Sequence, residues 1–565
     1  MLLEVHSPFY EQARDALVRF AELQKSPEHI HTYEISPLSL WNAAASGMGA
    51  DDIIAVLDRF SKYPIPAHIK TEIVDYIGRY GKVRLIRENG QLVITCDDRY
   101  VLREIWHDEA AARYLGDWID DTRIAVRSFY RGHIKQALIR IGYPVEDLAG
   151  YSKGAPLAIE LRDPARGGSA FQPRRYQQEA ADVFYARGSE HGGCGVVVLP
   201  CGAGKTIVGM ACMAKLQTHT LILTTGITAA RQWKSELLDK TNLTEDQIGE
   251  YSGEVKETRP VTISTYQILT YRNRDENDYP HFALFSKFDW GLIVYDEVHL
   301  LPAPVFRITA ELQARRRLGL TATLVREDGK EEDVFSLVGP KRYDVPWKVL
   351  EEQGWIATAQ CLELRLPLPE DIKLPYAVAQ KRAKFRIAAE NPLKPSVVQE
   401  LVARHDSDLV LVIGQYISQV ENLAEQLQAP LITGSTPNKR REELYDAFRK
   451  RELGVLVVSK VGNFAIDLPD ANVLIQASGT FGSRQEEAQR LGRVLRPKSD
   501  GSAAIFYSLV TRQTREQEFA EKRQRFLAEQ GYTYEIRDYP VTAASQASPG
   551  APGSAPEPPV SVQRS

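Results

Sequence analysis

At 565 residues the chain is long enough for about four domains of roughly 150 residues each, so it can bury several cores. A formal net charge of -4 excludes a globally basic nucleic-acid coat and confines any such binding to local clusters. The five cysteines, Cys96, Cys194, Cys201, Cys212 and Cys361, show no Cys-x-x-Cys spacing, which argues against a zinc site, an iron–sulfur cluster or a secreted disulfide framework and for a reducing compartment. The start, Met1-Leu-Leu-Glu-Val-His6, lacks a basic region followed by a long apolar stretch, and no run of ~18 apolar residues occurs, so an intracellular protein that does not span a membrane is expected.

Residues 1–88 carry helical apolar spacing, as at Ile53, Ile54, Val56, Leu57 and Phe60, broken by Ser61-Lys-Tyr-Pro-Ile-Pro66, and read as a mainly helical unit. His6, His29 and His31 have no carboxylate or cysteine at ligand spacing, so a metal site is not expected there. From Gln91 the pattern turns to strands at Leu92 to Thr95, Ala125 to Ser128 and Leu157 to Leu161 with a helix between Ile134 and Ile141, which predicts a small α/β domain over 89–165. Gly167-Gly-Ser169 reads as a hinge.

Leu199-Pro-Cys-Gly-Ala-Gly-Lys-Thr206 follows an apolar strand and opens a helix, the order a phosphate-binding loop requires. Within the ATP-binding stretch Pro200, Cys201, Gly202, Ala203 and Gly204, the two glycines would let the backbone turn tightly with its N–H groups facing a phosphate, Lys205 would hold the β- and γ-phosphates, and Thr206 would ligate Mg²⁺. Upstream, Arg174-Arg-Tyr-Gln177 offers an amide able to bond an adenine's N6/N7 edge. Strands at Thr220 to Thr225, Val261 to Thr265 and Leu292 to Tyr295, alternating with helices, predict a parallel sheet over 171–345. Asp296-Glu-Val-His299 ends one strand on the ligand-binding edge of such a sheet. Asp296 is suited to hold Mg²⁺ through water, Glu297 to activate the attacking water, and His299 to relay the state of the γ-phosphate. The hydroxyls of Thr321 and Thr323 could link the site to a partner surface, while Arg326-Glu-Asp328 alone reads as a solvated turn.

After a linker over 346–400 with a basic, aromatic segment at Tyr376 to Arg386, the strand–helix alternation repeats over 401–537 without a second phosphate loop. Its Gln489, Arg493 and Arg496 fall on one helix face. Two sheets with one phosphate loop make these arginines candidates for reaching the γ-phosphate. Residues 538–565, rich in Ala, Ser, Pro and Gly, read as a disordered tail.

This set of motifs resembles the superfamily 2 helicases and, within them, is most similar to the XPB helicases. The similarity rests on Asp296-Glu-Val-His299, on Leu320-Thr-Ala-Thr-Leu-Val-Arg-Glu-Asp328, and on Ser459-Lys-Val-Gly with Ile466-Asp-Leu-Pro-Asp-Ala-Asn-Val-Leu-Ile-Gln476. It implies two tandem RecA-like α/β domains and an ATP- and Mg²⁺-dependent 3′-to-5′ DNA helicase of excision repair or transcription-linked DNA opening. Arg326, Glu327 and Asp328 would then serve strand separation, 89–165 damage recognition, and the segment near Tyr376 a thumb-like grip on DNA. Val461-Gly-Asn-Phe-Ala-Ile466 and the absence of a long acidic insertion point to a prokaryotic member; for such a member the resemblance implies a cytoplasmic, nucleoid-associated location and a nuclease as working partner. A duplex translocase or remodeller, an RNA helicase, and a damage-binding scaffold are the competing readings.

Overall fold

The computed structural model describes residues 1–25, 29–127, 130–148, 154–188, 192–200, 202–271, 281, 284, 288–301, 316–322, 331–345, 347–355, 358–459, 471–479, 504–529 and 534–539. The N-terminal unit holds the expected helices, among them Pro37–Ala45, Ala50–Phe60 and Ala67–Arg79, against a three-stranded antiparallel sheet of β1 (Leu2–Glu4), β2 (Glu22–Lys25) and β3 (Ile30–Glu34). That sheet is an addition to the mainly helical expectation.

The next sheet has the order β6-β7-β5-β4-β8, from β4 (Val83–Glu88), β5 (Gln91–Thr95), β6 (Leu115–Asp120), β7 (Arg123–Val126) and β8 (Val145–Asp147). A boundary at 88/89 therefore cuts a hairpin. Asn89 and Gly90 both have positive φ, 49° and 81°, as the tight turn between two right-twisted strands needs. Leu157 to Leu161 forms no strand; only isolated bridges, Pro156 to Thr218 and Leu161 to Thr241, occur there. Nor is 167–169 a free hinge, because Gly167 N–H donates to Asp239 Oδ1 at 3.0 Å and Arg166 N–H to Asp239 O at 2.8 Å.

Two seven-stranded, wholly parallel sheets follow, the α/β architecture the sequence calls for. The first comprises β9 (Cys194–Val198), β10 (Thr220–Thr224), β11 (Ile248–Tyr251), β12 (Val261–Thr265), β13 (Leu292–Asp296), β14 (Arg316–Thr321) and β15 (Lys341–Asp344), in the order β11-β12-β10-β13-β14-β9-β15. The second comprises β16 (Ala359–Leu366), β17 (Val410–Gly414), β18 (Leu431–Ile432), β19 (Val455–Ser459), β20 (Val473–Gln476), β21 (Ala504–Thr511) and β22 (Tyr534–Asp538), in the order β18-β19-β17-β20-β21-β16-β22. Each strand of the second order is the seventh after its counterpart in the first, so the two lobes share one topology. β16 lies inside the stretch assigned to the linker, because its partners are 504–511 and 534–538, far along the chain. Central strands such as β10, β12, β17 and β20 are buried throughout, as sheets covered on both faces require.

The second unit is fixed to the first lobe through charge. Arg131 and Lys135 contact Asp147 at 2.5 and 2.9 Å, and Arg317 from β14 approaches it to 3.6 Å. Despite burial, which opposes it, these cations hold the Asp147 carboxyl well below the ordinary range. Gln136 adds a 2.8 Å hydrogen bond to Asp333 of the first lobe. Of the basic linker segment, Lys381, Arg382 and Lys384 line an open recess with Tyr376 and Arg515, whereas Arg386 is held by Glu390 at 2.8 Å. The C-terminal stretch from 540 onward lies outside the described residues.

Candidate active site

β9 delivers the chain to Leu199 and Pro200 at the carboxyl edge of the first sheet, and the helix Lys205–Leu216 departs from it. Gly202 and Gly204 have φ of 82° and 78°, the left-handed conformation for which glycine has no steric cost. At Gly204 there is a second reason: an added Cβ would sit 2.4 Å from Gln177 Nε2. Lys205 and Thr206 lie in the first turn of that helix.

Gln177 faces the loop rather than open space. Its Nε2 donates to Ala203 O at 2.8 Å, and its Oε1 accepts from Arg174 N–H at 2.9 Å, capping the helix Arg175–Tyr185. The amide ties the loop to that helix. Tyr176 OH also donates to Ala203 O at 2.7 Å. Arg174 donates to the same hydroxyl and stacks over Trp355, with its guanidinium carbon 4.6 Å from the ring centroid. Trp355 belongs to the stretch between the two sheets, so the rim of the phosphate loop touches the joint between the lobes.

On β13, Asp296 closes the strand and Glu297 turns back with φ of 50°, an uncommon conformation for a residue with a side chain. That turn places Glu297 Oε1 3.0 Å from Lys205 Nζ, with the two side chains 18% and 12% exposed. Ala322 N–H also bonds the Glu297 carboxylate, and His299 Nδ1 lies 3.5 Å from its Oε2. Burial favours the neutral acid, but Lys205 first and His299 second hold Glu297 below the usual carboxylate range. Asp296 goes the other way. Burial, then the adjacent Glu297 charge, push it up to about 6, opposed by the Trp233 N–H and by Lys205.

His299 is 4% exposed and its Nδ1 lies 2.7 Å from Thr321 Oγ1. Thr321 O in turn accepts from Leu199 N–H at 2.9 Å. The acidic strand end, the end of β14 and the phosphate loop thus form one hydrogen-bonded edge. This edge gathers Arg174, Gln177, Pro200, Gly202, Ala203, Gly204, Lys205, Thr206, Asp296, Glu297, His299 and Thr321, all singled out from sequence. Cys201, Thr323, Arg326, Glu327, Asp328, Gln489, Arg493 and Arg496 lie outside the described residues. Sequence reasoning missed Trp233, Tyr266 and Trp355 as members of the site. Their only local signal is a polar-tipped aromatic at a buried or half-buried position, which needs an acceptor or a stacking partner.

Paired carboxylates beside a lysine and a glycine-rich turn can bind a nucleoside triphosphate and activate water against it. Comparison with known proteins agrees. The model for the ERCC3/RAD25/XPB C-terminal helicase matches residues 350–548, that for the type III restriction enzyme res subunit matches 170–326, and that for a helicase conserved C-terminal domain matches 1–120. The DNA 3′-5′ helicase XPB of Mycobacterium tuberculosis is 54% identical over 539 residues, covering 95% of this chain and 96% of its own. The helicase of the same name from Kineococcus radiotolerans is also 54% identical, over 95% of each chain. The Saccharomyces cerevisiae general transcription and DNA repair factor IIH helicase/translocase subunit XPB/SSL2 is 32% identical, covering 95% of this chain and 71% of its own. With identity of this extent running through both lobes and the N-terminal units, the chain belongs to the XPB family of superfamily 2 helicases.

Proposed function

We propose that this chain hydrolyses ATP to move 3′ to 5′ along DNA and separate its strands, in excision repair or transcription-linked opening. The observation that carries the reading is the buried pair of Lys205 and Glu297, 3.0 Å apart at the mouth of the phosphate loop. A triphosphate outcompetes one carboxylate for the Lys205 ammonium. Once Lys205 turns to the phosphates, the main influence lowering Glu297 is withdrawn, its basicity rises, and it can take a proton from the attacking water. Glu297 therefore becomes a competent base only when ATP is present. Ala322 N–H and His299 keep its carboxylate aimed, and His299 passes the change to Thr321 at the end of β14.

Asp296 and Thr206 offer a carboxylate and a hydroxyl, hard oxygen donors of the kind Mg²⁺ takes, so the site fits that ion. When bound it neutralises charge on the β- and γ-phosphates. Arg174 and Gln177 would receive the base. From the second lobe, Gln489, Arg493 and Arg496 would reach the γ-phosphate and close the cleft. Arg326, Glu327 and Asp328, which follow β14 in the chain, would act at the strand junction, with 89–165 reading the lesion and Lys381, Arg382 and Lys384 gripping the backbone. A nuclease partner and a cytoplasmic, nucleoid-associated site of action complete the proposal; no helix among the described residues is long and apolar enough to cross a membrane.

The test is steady-state ATP hydrolysis with no nucleic acid, single-stranded DNA, duplex, forked duplex and RNA. Stimulation of at least tenfold (about 1.4 kcal/mol in the barrier) by DNA over RNA supports the reading. Equal stimulation by RNA and DNA contradicts it.

A further inference from the structure

Two aromatic donors grip Asp296. Tyr266 OH donates to its backbone carbonyl at 2.9 Å, and the Trp233 indole Nε1–H donates to its carboxylate Oδ2 at 3.0 Å. Trp233 sits on the helix Ile227–Lys240 and is 2% exposed, so the direction of its N–H is set by packing. That packing depends on a notch. Helix Lys205–Leu216, whose first turn carries Lys205 and Thr206, has Gly209 where the indole crosses it. A Cβ at Gly209 would lie 2.5 Å from Trp233 Cη2 and 3.3 Å from Cζ3. Glycine is a poor residue for a helix interior, so the notch carries a cost that the indole's position must offset.

An apolar filler such as phenylalanine would occupy this place without any acceptor. Trp233 brings a buried donor, and that donor has gone to the carboxylate which the functional proposal gives to Mg²⁺. We infer that Trp233 is a positioning residue for the metal site, holding the Asp296 carboxylate in one orientation before Mg²⁺·ATP arrives. Gly209 is its structural counterpart, since it admits the ring. Outer hydrogen-bond partners of metal-holding side chains commonly set metal affinity by about 10- to 100-fold. The inference rests on Asp296 being the metal-holding carboxylate, and its test separates the two claims.

The full-length chain is titrated with Mn²⁺ in the presence of ADP, following the free-Mn²⁺ electron paramagnetic resonance signal, with melting in EDTA as a control for folding. Native protein is compared with Trp233→Phe, which keeps most of the ring packing and removes the N–H, with Gly209→Ala, which displaces the ring and leaves the indole chemically intact, and with Asp296→Asn. Trp233→Phe should weaken Mn²⁺ binding about tenfold, Gly209→Ala should shift it in the same direction, and Asp296→Asn at least as far. Mn²⁺ affinity within twofold of native for both Trp233→Phe and Gly209→Ala, alongside a clear loss in Asp296→Asn, overturns the positioning role. An unchanged affinity in Asp296→Asn overturns the assignment of the carboxylate itself.

Discussion

Asp296→Asn should stabilise the nucleotide-free protein at alkaline pH, although it removes a functional carboxylate. In the unfolded chain this carboxyl ionises near its usual 3.8, and in the folded chain near 6, chiefly because of burial and secondly because of the Glu297 charge beside it. Between those values the folded state holds more protons than the unfolded state, so stability falls as pH rises through the window and stays low above it. At 1.36 kcal/mol per unit, carrying the charge at pH 8 costs about 3 kcal/mol. Asparagine keeps the shape and an oxygen for the Trp233 N–H but bears no charge. The variant should therefore gain about 2–3 kcal/mol at pH 8, or roughly 5–10 °C in the melting transition of the first lobe. The gain should fall to roughly half at pH 5, where the native carboxyl is mostly protonated. The assay is thermal melting in EDTA without nucleotide at both pH values. A variant that melts no higher than native at pH 8, or whose advantage does not shrink at pH 5, would show that the Asp296 charge does not destabilise the folded lobe.

Lys205→Ala should abolish ATP turnover while DNA affinity, followed by fluorescence anisotropy on a labelled oligonucleotide, stays close to native. Glu297→Gln should retain ATP binding and lose about 10²- to 10⁴-fold in turnover, the usual worth of a general base; fluorescent-nucleotide binding and steady-state hydrolysis separate the two effects. Arg326→Ala should leave DNA-stimulated hydrolysis near native and reduce strand displacement, and normal unwinding by this variant removes the wedge role.

Local chemistry made the first lobe legible. The strand, glycine turn and helix around Gly204, and the acidic pair at the end of β13, are each written within a few consecutive residues, and their spatial meeting follows from the edge rule of parallel sheets. What went unread depends on distant pairing or on a single atom. β16 reads as linker because its neighbours, β21 and β22, lie far along the chain, and no local pattern announces them. The exception is β4, which Asn89-Gly90 marks locally as one arm of a hairpin and which a boundary at 88/89 separates from its partner. Gln177 illustrates the other limit, since sequence offers its amide to a base while the fold first commits it to Ala203 and Arg174. The grip of Trp233 on Asp296 turns on one N–H and one missing methyl at Gly209, which no periodicity encodes.

Strand displacement on 3′-tailed and 5′-tailed duplexes, with ATP and Mg²⁺, reads the polarity of movement and the separation of strands together. Release of the displaced strand from the 3′-tailed substrate alone, lost in Lys205→Ala, is the predicted result. Displacement from the 5′ tail, or DNA-stimulated hydrolysis with no strand released from either substrate, would contradict a 3′-to-5′ helicase, the latter leaving a translocase that moves on duplex without opening it.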